Sequence, residues 1–188
     1  FRYAVPQMVG LLLNSIYTIV NGVFICNRLG QDAMAAAAVS VPLIEILISL
    51  ALAVASGAAV MIATRLGQRK ITEARKIFNT AIWMIGSTGL LIALAGNLLL
   101  RPLAQLLGAT PDILSEAAVY LWYIVTFAPF QLFSFLLGSM VRNDGRPKLA
   151  MTAMILGAIS NIVLDYVFMY PMNMGIAGAA MATALGPI

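Results

Sequence analysis

Apolar residues run along this chain in blocks of roughly 20 or more positions, and the charged residues collect in short clusters between the blocks. A helix of about 20 apolar residues crosses a hydrocarbon core roughly 30 Å thick. The blocks therefore predict membrane-spanning helices over residues 3–26, 33–64, 77–100, 117–141, 149–170 and 175–188, the last one incomplete. They are continuous and lack the alternation of barrel strands. The links follow from the breaks: NRLGQD after the first span, a basic loop RLGQRKITEARK over 65–76, and RPLAQLLGATPDILSE, where two prolines and Gly108 mark a loop with a short interfacial turn. The tight turn RNDGRPK follows the fourth span. Pro42 predicts a kink or early break in the second span. Pro129 lies in the middle of the fourth, where neighbouring helices or water must satisfy the carbonyl it frees. The small residues of GIAGAAMATALGPI let helix backbones approach closely and predict a helix inside a bundle.

Composition agrees with this pattern. The 188 residues are 62% hydrophobic and 10% charged, with a mean hydropathy of +0.96, against about half and about a quarter in a soluble domain. The net charge of +4 has a topological explanation and calls for no nucleic-acid partner. Arg2, Arg65, Arg69, Lys70, Arg75, Lys76, Arg142, Arg146 and Lys148 fall on one side of the predicted spans, and only Arg28 and Arg101 on the other. That asymmetry predicts a cytoplasmic N-terminus. One cysteine, Cys26, excludes an internal disulfide, and the absence of histidine removes the usual zinc ligand and the imidazole acid or base. With no G-x-S-x-G and no pair of intramembrane acids one turn apart, the chain reads as a non-enzyme without a cofactor. It begins at FRYAVPQ without an initiating methionine and stops inside an apolar block, the pattern expected of a segment cut from a longer chain.

The polar residues inside the blocks need a reason. Asp165 is the only charge after Lys148, and a carboxylate in mid-membrane costs on the order of 2.5–3.5 kcal/mol on insertion scales. Asn161 lies one helical turn before it and Gly157 one turn before that, on the same face. In the first span Asn14, Tyr17, Thr18 and Asn21 form a polar stripe, with Gln7 further back. The stripe faces protein or water, either as interhelical hydrogen bonds or as the wall of a cavity. Glu45 shares a face with Ser49 and Ser56, and either lines the same cavity or sits at the outer interface. Tyr120 and Tyr123 read as ligand contacts or as interfacial belt residues, with Thr126 and Gln131 further along the same span. Burial disfavours the charged form of a carboxyl group, so Asp165 can take up a proton and return it when the site opens to water. A monovalent cation such as Na+ is the other candidate, held by Asp165 and the Asn161 amide; pairing with a partner at the outer interface is the purely structural alternative.

VPQMVGLLLNSIYTIVNGVFICNRLGQDAMAAAAVS resembles the opening helix and first loop of multidrug and toxic compound extrusion (MATE) transporters. RNDGRPKLAM, followed by AISNIVLDYVFMYPMNMGIAGAAMATAL, resembles the same family from the turn before its fifth helix into its sixth. The resemblance implies an all-α integral membrane protein, a six-helix N-terminal lobe with its sixth helix incomplete, belonging to a twelve-helix exporter of two lobes around a central cavity. The lobe would pack against a C-terminal lobe outside this sequence, in a prokaryotic plasma (inner) membrane. It also implies export of amphipathic or cationic compounds in exchange for H+ or Na+. Asp165 matches the family's helix-five acid, Asn161 its amide partner, and Asn14 a polar position facing them. Pro6 matches a proline near which helix one bends. Asn21 departs from the pattern, because the family usually carries aspartate there. Either Asp165 alone holds the ion, or the second acid is Glu45 or lies in the other lobe, or the amide was introduced to mimic a protonated state. A lipid-linked precursor flippase of a related branch is the rival, but the spans carry acids and amides rather than the cations a pyrophosphate requires. A non-coupled channel or structural bundle is the other alternative.

Overall fold

The computed structural model describes residues 4–186, except the side chains at 4–7, 9–11, 13, 14 and 147. Among the described residues there are nine α-helices and no strand: α1 Ala4–Leu29, α2 Gln31–Val39, α3 Val41–Gly67, α4 Ile71–Leu98, α5 Leu100–Leu106, α6 Leu114–Thr126, α7 Ala128–Asn143, α8 Pro147–Met169 and α9 Ile176–Leu185. The stretch Gln31–Gly67 and the helices α4 and α8 are each long and apolar enough to cross a membrane, and α6 with α7 makes a bent fourth.

Breaks occur where backbone chemistry demands them. Gly30, at φ +92°, turns the chain between α1 and α2 in a conformation that a side chain would disfavour. The second span breaks at Ser40, whose buried hydroxyl donates to the Ala37 carbonyl at 2.6 Å. Pro42 then stands in the first turn of α3, where its missing N–H costs no intrahelical bond. The fourth span breaks at Phe127, two residues before Pro129, and α6 and α7 meet at 52°. Asn97 of α4 braces that break, its Nδ2 lying 3.3 Å from the Thr126 hydroxyl.

The basic loop expected over 65–76 is corrected to the three residues Gln68, Arg69 and Lys70, because α3 continues to Gly67 and α4 starts at Ile71. Hydropathy marks only the part of a helix inside hydrocarbon, whereas Arg, Lys, Glu and Ala keep favouring helix beyond it. Glu73 accepts from Arg65 and from Lys70, at 3.3 Å each, across the short connection.

The packed core joins α3, α4, α6, α7 and α9. One face of α3, with Leu47, Ala51, Ala55 and Ala58, is buried, and α3 packs against both α4 and α7. At the bend, α4 comes so close that a Cβ on Gly89 would stand 2.7 Å from the Pro129 Cα. On the other flank α8 packs against α1 and α9. The C-terminal end of α1 is tied there: Arg28 donates to Asn173 Oδ1 at 3.1 Å and lies 5.7 Å above the centre of the Tyr170 ring.

Candidate functional site

The short helix α9, IAGAAMATAL, has one polar side chain, Thr183. Its alanines and glycine are buried, so neighbouring helices approach its backbone closely. Four of them bring polar side chains to a single turn of it. From α1, Asn21 Nδ2 donates to the Thr183 hydroxyl at 3.1 Å. From α6, the Tyr120 hydroxyl shares a hydrogen bond of 3.0 Å with the same oxygen. From α7, Gln131 Nε2 reaches the Thr183 carbonyl at 3.4 Å. From α8, Asn161 Nδ2 donates to the Ala182 carbonyl at 2.9 Å.

Asp165 follows Asn161 by one turn on α8 and has no exposed surface. It lies within electrostatic reach of the Tyr17 and Tyr120 phenols. Both of its carboxylate oxygens are buried without a hydrogen-bond partner among the described residues, and so are the amide oxygens of Asn21 and Asn161. The asymmetry is chemical. Each amide uses its N–H on α9 and leaves its oxygen over, so these side chains and Asp165 all hold buried acceptors without a donor among the described residues. Such a set is satisfied by a proton on the carboxylate or by a hard cation among the oxygens.

Of the residues singled out in the sequence, Asp165, Asn161 and Asn21 are buried and converge around α9 and the facing side of α8. The polar stripe of α1 divides: Asn21 faces the interior, Tyr17 is half-buried and Thr18 is exposed. Pro6, Gln7 and Asn14 have side chains outside the described residues. Glu45 is exposed, on the side of α3 away from the buried alanines, and within electrostatic reach of Tyr17. The belt reading of Tyr120 is corrected, since it is 3% exposed and bonded to Thr183. Thr183 went unnoticed in the sequence. Its signal was being the single side-chain oxygen in a run of alanines.

Residues 6–167 match the MatE family model. The chain belongs to the MatE family. Its relatives include the multidrug export protein MepA of Staphylococcus saprophyticus, 28% identical over 188 residues, a match that covers all of this chain and 42% of that protein. Among solved structures, the MATE multidrug transporter DinF-BH is 32% identical with a TM-score of 0.91, covering 99% of this chain and 42% of the other. A MATE protein crystallised in the bent conformation is 28% identical with a TM-score of 0.88, covering 99% and 41%. The chain thus spans about two-fifths of the length of these relatives.

Proposed function

We propose that this chain forms the first lobe of a secondary-active antiporter that exports amphipathic or cationic compounds in exchange for H+ or Na+. The observation that carries the reading is the buried Asp165, whose two oxygens have no hydrogen-bond partner among the described residues, as is also true of the buried amide oxygens of Asn21 and of Asn161, one turn before it on α8. A dry carboxylate without a donor is costly unless something positive visits it. In an exporter that visitor is the coupling ion, either a proton on Asp165 or Na+ among the oxygens. Asn21 cannot titrate, so among the described residues of the cluster Asp165 alone changes charge.

Ion occupancy acts on α1 and α9 because both pack against α8. The Asn21–Thr183 bond ties α1 to α9, and Tyr120, which shares the Thr183 oxygen, is within electrostatic reach of Asp165, so neutralising Asp165 changes the field at that tie. Movement of α1 then alternates access around the interface with a second lobe, and the bound compound leaves on the outer side. Nine basic residues against two support a cytoplasmic N-terminus. The chemistry is transport and involves no covalent step.

The test uses the intact protein in sealed vesicles, measuring export of a cationic fluorescent dye under an imposed proton gradient and then a sodium gradient. Wild-type protein exports the dye under one of them, and Asp165→Asn abolishes export while the protein still folds. Export by Asp165→Asn at the wild-type rate would remove the carboxylate from the coupling mechanism. Dye movement independent of both gradients would replace the antiporter with a channel.

A further inference from the structure

The sequence places two cations on the outer face, Arg28 and Arg101. Arg28 is engaged by Asn173 and the Tyr170 ring. Arg101 is exposed and makes no hydrogen bond or ion pair among the described residues. Asp112 and Glu116 lie in the same outer segment, yet neither pairs with it. Arg101 instead borders an open recess of about 390 Å³ between the α4–α5 junction and α6, lined also by Leu100, Ser115, Val119, Trp122 and Tyr123. The Trp122 and Tyr123 rings meet edge to face at 4.8 Å.

The level of the recess in the bilayer follows from helix rise. Lys76 is the last charged residue before the apolar part of α4, and roughly 20 residues of helix carry the chain across the hydrocarbon. Arg101 lies a few residues beyond that point, in the headgroup layer. Trp122, counted in the same way from Arg142 along α7 and α6, stands at the outer edge of the hydrocarbon, where tryptophan is favoured. Leu98, 84% exposed, and Leu106, 83% exposed, stand before and after Arg101 in the chain and add apolar surface near it. A recess lined by an unpaired guanidinium, a serine hydroxyl and two aromatic rings, with exposed leucines close by in the chain, matches a phosphodiester that carries two acyl chains.

From this we infer that the recess between the α4–α5 junction and α6 is a binding site for the phosphate of an anionic phospholipid in the outer leaflet, with Arg101 as its cation and Ser115 and Trp122 completing the site. Occupancy would fill the gap between α5 and α6, and so support the outer rim of the lobe independently of the buried cluster at Asp165.

The experiment takes the intact protein, delipidated in detergent, and counts bound lipid by native mass spectrometry during titration with dioleoylphosphatidylglycerol, with dioleoylphosphatidylethanolamine as the zwitterionic control. Wild-type protein retains the anionic lipid in preference to the control. Arg101→Gln weakens that retention about tenfold and removes the preference, while Arg101→Lys keeps part of it. In a background of the intact protein with every tryptophan but Trp122, Trp83 included, replaced by phenylalanine, brominated phosphatidylglycerol quenches Trp122 fluorescence, and Arg101→Gln reduces the quenching. Inorganic phosphate at about 10 mM displaces no lipid, as expected for a site that also holds acyl chains. Equal retention by wild type and Arg101→Gln, equal retention of the two lipids, or displacement by inorganic phosphate would each overturn the assignment.

Discussion

At the scale of single residues, Thr183 connects three helices through one oxygen. Replacing it by valine keeps the volume but leaves the Asn21 amide and the Tyr120 hydroxyl, both buried, without that partner. Thr183→Val is expected to destabilise the protein by about 1–3 kcal/mol, the usual cost of unmet buried polar groups, read as a lower midpoint in thermal unfolding followed by circular dichroism. An unchanged midpoint would mean that the two bonds contribute nothing net. Asn21 offers the complementary test. Asn21→Asp adds a second carboxylate to a cluster that already lacks donors, and two like charges in a dry site cannot both ionise without a cation. Sodium at about 100 mM should therefore raise the thermal midpoint of Asn21→Asp more than that of wild type, because a ligand that binds the folded state stabilises it by mass action. Equal shifts would separate position 21 from the ion.

At the scale of elements, the bend between α6 and α7 has three causes that act together: Pro129 withholds a backbone donor, Asn97 bonds to Thr126, and Gly89 lets α4 approach the bend. The last is the easiest to break. A side chain at position 89 would run into the Pro129 backbone, which cannot rotate away as a flexible side chain would. Gly89→Val should cost about 1–3 kcal/mol through overpacking, whereas Gly57→Val, on an open part of α3, should leave the midpoint near wild type. Similar midpoints for the two variants would show that α4 moves aside cheaply. The element pattern was legible in the sequence because apolar runs and prolines act locally. Helix ends were less legible, and the junction of α3 and α4 shows why. Beyond the hydrocarbon, hydropathy no longer distinguishes a helical turn from a loop, and ion pairs such as Arg65–Glu73 depend on geometry across the connection.

At the scale of the whole molecule, the exposed face of α3 carries Glu45, Ser49 and Ser56, opposite the alanines that pack on α4 and α7. Such a face suits water better than lipid, and in a two-lobe transporter it would border the central cavity. In a background of the intact protein with its cysteines, Cys26 among them, replaced by alanine, Ser49→Cys and Ser56→Cys should react with a membrane-impermeant thiol reagent. Leu94→Cys, 58% exposed on the apolar surface of α4, should not. Labelling of Leu94→Cys alone would assign the α3 face to protein or lipid contact instead.

The sequence by itself determined the membrane, the helices, the charge asymmetry and the resemblance to MATE transporters, because each depends on composition or on spacing along the chain. It also marked Asp165 and Asn161 as partners, since residues one turn apart share a helical face. Tertiary structure alone decided that Asn21 turns inward to α9 while Thr18, on the same stripe of α1, is exposed. It decided too that Tyr120 is an interior residue and that a threonine among alanines is where four helices meet. Those choices depend on which face each helix turns toward α9. Packing between helices sets that rotation, and no local spacing encodes it.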